Sequence, residues 1–145
     1  MLYYSIGNPK HKVSFKEALF NGISPDRSLY FPYNTNELDK KFIQDLENIS
    51  LNDIAYSCIR QFVGKDIEEQ SLRNILDETI NFEFPLKKIE EKIFVLELFH
   101  GPTMAFKDVG ARFTSRCISY FIERENLSKI TVLVATSGDT GAAVA

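Results

Sequence analysis

Lys107 is the residue with the most chemical promise. It stands where the turn at residues 101–106 becomes a helix, and the positive end of a helix dipole disfavours a second positive charge. Its neighbours Met104, Ala105 and Phe106 are apolar, so the amine is expected to be partly desolvated. Desolvation and the helix end both favour the neutral amine, which Schiff-base chemistry with an aldehyde requires. A solvated helix-start lysine is the plainer alternative. The second feature is Ser137-Gly-Asp-Thr-Gly141, which follows an apolar segment and opens a helix. Its backbone N–H groups make an anion site, unless Asp139 or Thr140 is simply the N-cap of a strand-to-helix turn. The loop carries neither G-x-G-x-x-G nor G-x-x-x-x-G-K-S/T, so it is no nucleotide fingerprint. Asp108 and Arg112 are spaced to pair at i,i+4 on a helix, and His100 either lines the site or caps the turn.

The elements that must position these residues are read from periodicity. Residues 92–98 are nearly all apolar and rich in β-formers, as in a strand covered on both faces, and residues 130–135 repeat that pattern. Between them lies an amphipathic segment of about twenty residues from Lys107 to Asn126. Two apolar strands joined by a helix imply a parallel, right-handed βαβ unit. In such a unit Lys107 and the 136–141 loop share one rim, each following a strand's carboxyl end. A nucleophilic amine and a carboxylate or phosphate cradle on one rim make an amino-acid site.

Upstream the chain is α-rich. Residues 2–6 and 29–31 read as short strands, and Ser24-Pro-Asp-Arg27 as a turn. Ser14-Phe-Lys-Glu17 is a capping box for a helix that stops at Gly22. Leu38, Phe42, Ile43 and Leu46 make one apolar face. Ser50 caps a cleaner one that runs from Leu51 to Val63 and stops at Gly64, and Asp66 or Glu69 opens a third helix reaching Thr79. Residues 85–89 are a further strand. The expected division is residues 1–85, an α-rich N-terminal domain, and residues 86–145, the start of a parallel-sheet α/β domain. With two candidate parallel strands and a last helix only one turn long, the chain reads as the front part of a longer one, cut inside its catalytic domain.

Composition narrows the function classes. The 145 residues are 44% hydrophobic and 26% charged, which fits a soluble globular chain rather than a disordered one. Seventeen Lys and Arg against twenty Asp and Glu leave a net charge of −3, too mild for a nucleic-acid partner. No apolar run approaches a membrane span, and the first residues lack a signal-peptide layout. Cys58 and Cys117 form no CxxC pair and read as buried free thiols of a cytoplasmic protein. Two histidines, with no Cys or acidic cluster at ligand spacing, point away from a structural zinc site.

The run Leu96-Glu-Leu-Phe-His-Gly-Pro-Thr-Met-Ala-Phe-Lys-Asp-Val-Gly-Ala-Arg-Phe113 resembles the lysine motif of the threonine synthase family, pyridoxal-phosphate enzymes of the tryptophan-synthase-β-like fold. Val134-Ala-Thr-Ser-Gly-Asp-Thr-Gly141 is similar to that family's second loop. Tyr3-Tyr-Ser5 and Gly22-Ile-Ser-Pro-Asp-Arg-Ser-Leu-Tyr-Phe-Pro32 are similar to its extra front domain. Met104, Val109 and Arg27-Ser28 depart from the usual residues but keep the local character. The resemblance implies an α-rich domain followed by the first part of a three-layer α/β/α sheet domain. It implies that Lys107 holds pyridoxal 5'-phosphate as a Schiff base and moves protons at Cα and Cβ of O-phosphohomoserine, giving threonine and phosphate. It implies that Thr136, Ser137, Gly138, Asp139 and Thr140 grip the substrate carboxylate or the hydroxyl side of the cofactor ring, with Asp139 on the cofactor. Arg112 either supports the site or reaches the leaving phosphate. The family's phosphate-binding Gly/Asn loop and the residue facing the pyridine nitrogen lie outside this chain, so the chain alone is expected to be inactive and to associate through its open edge. Rivals are a dehydratase, cysteine synthase or tryptophan synthase β chain of the same fold, a catalytically dead homologue, and a non-catalytic anion-binding module.

Overall fold

A computed structural model of the chain describes residues 1–128 and 130–145. The fold is mixed α/β, in two compact units, Met1–Leu76 and Asp77–Ala145.

In the first unit β1 (Leu2–Ser5) is the centre of a three-stranded antiparallel sheet, flanked by β2 (Lys12–Ser14) and β3 (Tyr30–Pro32). The register sets Tyr3 opposite Val13 on one side and Pro32 on the other. Pro32 is tolerated because it lies at the end of an outer strand, where a missing N–H breaks no central ladder. The helix α1 (Phe15–Asn21) begins at Ser14, and the capping box is complete: Ser14 Oγ accepts from the Glu17 N–H, and Glu17 accepts from the Ser14 N–H. The Ser14 N–H, at 2.8 Å, and the Ser14 hydroxyl, at 2.9 Å, both donate to Glu17 Oε2 and hold that carboxyl below the ordinary carboxylate range. Gly22 ends the helix at φ 66°, a conformation that favours glycine. α2 (Lys40–Gln44) is a short helix capped by Asp39 and followed by a 3₁₀ turn at Leu46–Asn48. α3 (Leu51–Val63) starts on Ser50, whose side chain accepts from Asp53 N–H, and stops at Gly64 with φ 60°. α4 (Glu69–Thr79) runs across the division between the units.

Val13, Phe15, Val63, Ile67, Leu72, Ile75 and Leu76 are the buried apolar residues of this unit. Tyr3 ties the sheet to α3 by donating to the Phe62 carbonyl at 3.1 Å, and burial, with Asp66 adding to it, pushes its hydroxyl pKa up to about 12. Arg73 ties α4 to α3, with its guanidinium 4.0 Å from the Tyr56 ring centroid and 3.0 Å from Asp53 Oδ1.

The second unit departs from the sequence reading in one important respect. β4 (Leu86–Glu90) and β5 (Ile93–Leu96) pair with each other, antiparallel, with a bulge between Lys88 and Glu90. Two strands joined by two residues can only close as a hairpin. Residues 130–135, expected to be a buried parallel strand, form no β ladder among the described residues, and most of them are exposed. A parallel strand is defined by its neighbours, and here β5 has spent one edge on β4. No βαβ unit is formed among the described residues. The helix between them is as expected: α5 (Lys107–Glu125) ends at Asn126 in the left-handed conformation, φ 50°. α6 (Asp139–Val144) packs beside α5.

Candidate active site

Lys107 is the first residue of α5, and Asp139 the first of α6. The Lys107 ammonium lies 3.9 Å from Asp139 Oδ2, so the two sequence features that could carry chemistry do meet. The lysine side chain is 36% exposed and the aspartate 76%. Of its apolar neighbours, Met104 and Phe106 are 78% and 62% exposed, and the amine lies 5.1 Å from the Phe106 ring centroid.

The second loop has the local geometry its residues favour. Gly138 adopts φ 153°, ψ −74°, with open space where a Cβ would stand. Its N–H donates to Thr136 Oγ1 at 3.3 Å. Gly141 closes against Thr136, whose methyl would be only 2.8 Å from an added Cβ. Neither Asp139 nor Thr140 is the N-cap of α6; that position is Gly138, with no side-chain cap. Ser137 and Thr136 are exposed, and Thr140 is half-buried.

Arg112 lies elsewhere. Its Nη2 donates to the Glu78 carbonyl at 2.6 Å and to Asn81 Oδ1 at 3.0 Å. The expected i,i+4 pair with Asp108 is absent. Asp108 is 1% exposed and instead accepts from Thr103, from the backbone N–H at 3.0 Å and from the hydroxyl at 2.6 Å. That contact was missed in the sequence because a carboxylate beside a helix start already had an explanation. The available signal was Thr103, a hydroxyl five residues ahead of it in a turn. His100 turns to Glu97, 2.7 Å away, and stacks on Phe99. Cys117 is fully buried, and burial pushes its thiol up to about 12, which leaves it an unreactive packing residue. Among the described residues no group of three or more His, Cys, Asp or Glu side chains stands close enough to hold a metal ion.

Comparison with known proteins identifies the family. Residues 2–80 match the family described as threonine synthase N terminus. The chain belongs to the threonine synthase family. It is 37% identical over its whole length to the threonine synthase of Haemophilus influenzae, of which it covers 33%. Among solved structures, threonine synthase from Escherichia coli superposes with a TM-score of 0.89 at 32% identity, over 99% of this chain and 33% of that one. A pyridoxal-phosphate-bound threonine synthase from Brucella melitensis gives a TM-score of 0.91 at 32% identity, over 99% of this chain and 32% of that one. The chain thus spans about a third of the length of these threonine synthases.

Proposed function

We propose that the chain carries the reactive lysine and the substrate-facing loop of a pyridoxal-phosphate-dependent threonine synthase, which converts O-phospho-L-homoserine and water to L-threonine and phosphate. The observation that carries this reading is the Lys107 amine at the start of α5, 3.9 Å from Asp139 at the start of α6. The residues present fit the cofactor. A primary amine is the group that condenses with its aldehyde, this one is partly open to solvent, and the backbone at Gly138 leaves the space beside it clear.

When bound, pyridoxal phosphate supplies an electron sink that stabilises negative charge at carbon next to the amine it holds. Lys107 would hold that group through Nζ, and the same amine, when free, would take up and return protons at Cα and Cβ of the substrate. Asp139 orients Nζ over the loop. Thr136, Ser137 and Thr140 offer hydroxyls, and Gly138 an unhindered backbone, to the substrate carboxylate or the hydroxyl side of the ring. For Arg112, the hydrogen bonds to Glu78 and Asn81 favour support of α5 over contact with the leaving phosphate. A cytoplasmic setting is supported by the two free cysteines, Cys58 and Cys117, and no helix among the described residues is long and apolar enough to cross a membrane. Nothing in the charge balance of −3 favours a nucleic-acid partner.

The test is trapping with pyridoxal phosphate and borohydride, followed by peptide mass analysis. It is run on this chain and on this chain joined to the remainder of a full-length relative. Labelling confined to Lys107 in the joined protein, abolished in Lys107→Ala, is expected. Labelling scattered over many lysines, or absent at Lys107, returns the anion-binding module to first place.

A further inference from the structure

The start of α5 lacks the usual cap. Its N-cap position is Phe106, whose side chain accepts nothing, so the first turn of the helix is not fixed by the Ser, Thr, Asp or Asn device that defines most helix starts. The only carboxylate in that turn is Asp108, and it faces backwards. Both of its oxygens are taken by one residue of the preceding turn: Thr103 N–H at 3.0 Å on Oδ2 and Thr103 Oγ1 at 2.6 Å on Oδ1. At 1% exposure the carboxylate is stripped of water, and a buried charge must find its partners within the protein.

The turn it grips is tightly built. Gly101 is buried with its Cα against Asp108. An added Cβ would run into Oδ2 and come within 2.9 Å of the aspartate's own Cβ. Met104 stands at φ 56°, in the left-handed region that a side chain bearing Cβ rarely occupies. Its side chain is 78% exposed, so packing does not hold it there. Backbone bonds do: Met104 N–H to Gly101 O at 3.0 Å, and Asp108 N–H to Ala105 O at 3.1 Å. Lys107 is the residue between this locked turn and the gripping carboxylate.

We propose that Asp108 is a positioning residue: by clamping Thr103 against Gly101 it fixes the turn from which Lys107 reaches toward Asp139. The inference rests on the reading of Lys107 as the reactive amine and deepens it. Asp108 touches neither the amine nor Asp139 and acts only through the backbone it holds.

Two readouts on the 145-residue chain test it: hydrogen exchange of the amides at 101–108, and the acetylation rate of Lys107 relative to the exposed Lys87. In Asp108→Ala the turn amides should exchange at least tenfold faster, and the relative reactivity of Lys107 should shift at least threefold. Asp108→Asn should rescue both. Its carbonyl accepts from Thr103 N–H, its NH2 donates to the rotatable Thr103 hydroxyl, and the clamp survives without the charge. Faster exchange with unchanged Lys107 reactivity would make the clamp merely structural and overturn the proposal, as would an Asp108→Asn protein that behaves like Asp108→Ala. Should Asp108→Ala fail to fold, Thr103→Val against Thr103→Ser decides it, since only the first removes the hydroxyl; equal reactivity of Lys107 in the two sinks the idea. Neither readout uses pyridoxal phosphate. If borohydride trapping misses Lys107 in the wild type, the catalytic reading fails, while exchange and acetylation still decide whether Asp108 sets the turn.

Discussion

The two units treat their apolar residues in opposite ways. In Met1–Leu76, residues from β2, α1, α3 and α4 are withdrawn from water, with Val63, Ile67 and Leu72 at 0% exposure. In Asp77–Ala145 the apolar residues of the strand-like segments stay in solvent: Leu86, Ile93, Phe94 and Leu96 are half exposed or more, and Leu133 is 91% exposed. The second unit buries Cys117 and Phe121 of α5, and hydrogen bonds of single residues supply much of its remaining order. Asp108 holds Thr103, Arg112 holds Glu78 and Asn81, and Arg116 pairs with Glu78 at 2.8 Å. Elements with few buried apolar contacts open at lower free energy than a packed core. In this chain the residues proposed for chemistry sit on the unit with fewer buried apolar side chains.

The sharpest way to break this contrast is to make one substitution twice. Leu72→Ala, at a fully buried position, should destabilise the first unit by about 2–5 kcal/mol. Leu133→Ala, at a position 91% exposed, should change stability by no more than about 0.5 kcal/mol. Denaturant melts read both, and equal costs would mean that exposure does not separate the units. Glycine gives a second, somewhat smaller contrast. Gly64 has φ 60°, and an added Cβ would run into the backbone nitrogen of Met1. Gly64→Ala should cost about 2 kcal/mol, the left-handed penalty and a displaced first strand together. Gly110, inside α5 with nothing within 4 Å of an added Cβ, should reverse the sign, with Gly110→Ala stabilising by about 0.5–1 kcal/mol. Thermal melts showing both substitutions destabilising would remove that distinction.

What could be read from the sequence follows the same line. α1 and α3 were legible to the residue, because Ser14, Glu17, Gly22, Ser50 and Gly64 are local signals acting over at most four residues. The lysine turn and the Ser137 loop were legible as types for the same reason; that Lys107 Nζ lies 3.9 Å from Asp139 Oδ2 is a finding of the structure alone. β2 was not, since three residues, Lys12–Ser14, carry too little pattern and become a strand only by pairing with β1. The 130–135 segment shows the reverse failure: its composition asks for a strand, yet strand formation belongs to the ladder and not to the segment. Partners distant in sequence were also out of reach. Arg112 finds Glu78 and Asn81 more than thirty residues back, and Ser5 meets Ser24 and Asp26 across about twenty.

That last cluster supplies the mildest test, because it asks whether polar contacts in the first unit matter as they do in the second. Ser5 and Ser24 are buried, at 0% and 4% exposure. The Ser5 hydroxyl lies 2.8 Å from each carboxylate oxygen of Asp26, the Ser24 hydroxyl also donates to that carboxylate, and Ser28 N–H reaches it at 3.2 Å. The turn passes through Arg27 at φ 65°, a conformation this carboxylate helps to hold. Hydrogen bonds from Ser24 and then Ser5 hold the Asp26 carboxyl below its ordinary range. The sign follows from that depression. The folded protein binds this proton less readily than the unfolded chain, so the contribution is complete above the unfolded value of about 3.9 and is lost as pH falls through the lower folded value. Stability of the first unit should therefore decline from about pH 4 downward, and Asp26→Asn should be less stable near neutrality but show a shallower acid slope. Thermal melts between pH 6 and pH 3 measure both quantities, and an unchanged slope in Asp26→Asn would place the acid sensitivity on other carboxylates. Hydrogen exchange localises the effect: the amides of β1 and of residues 24–28 should respond, while those at 101–108, held by a different aspartate, should not.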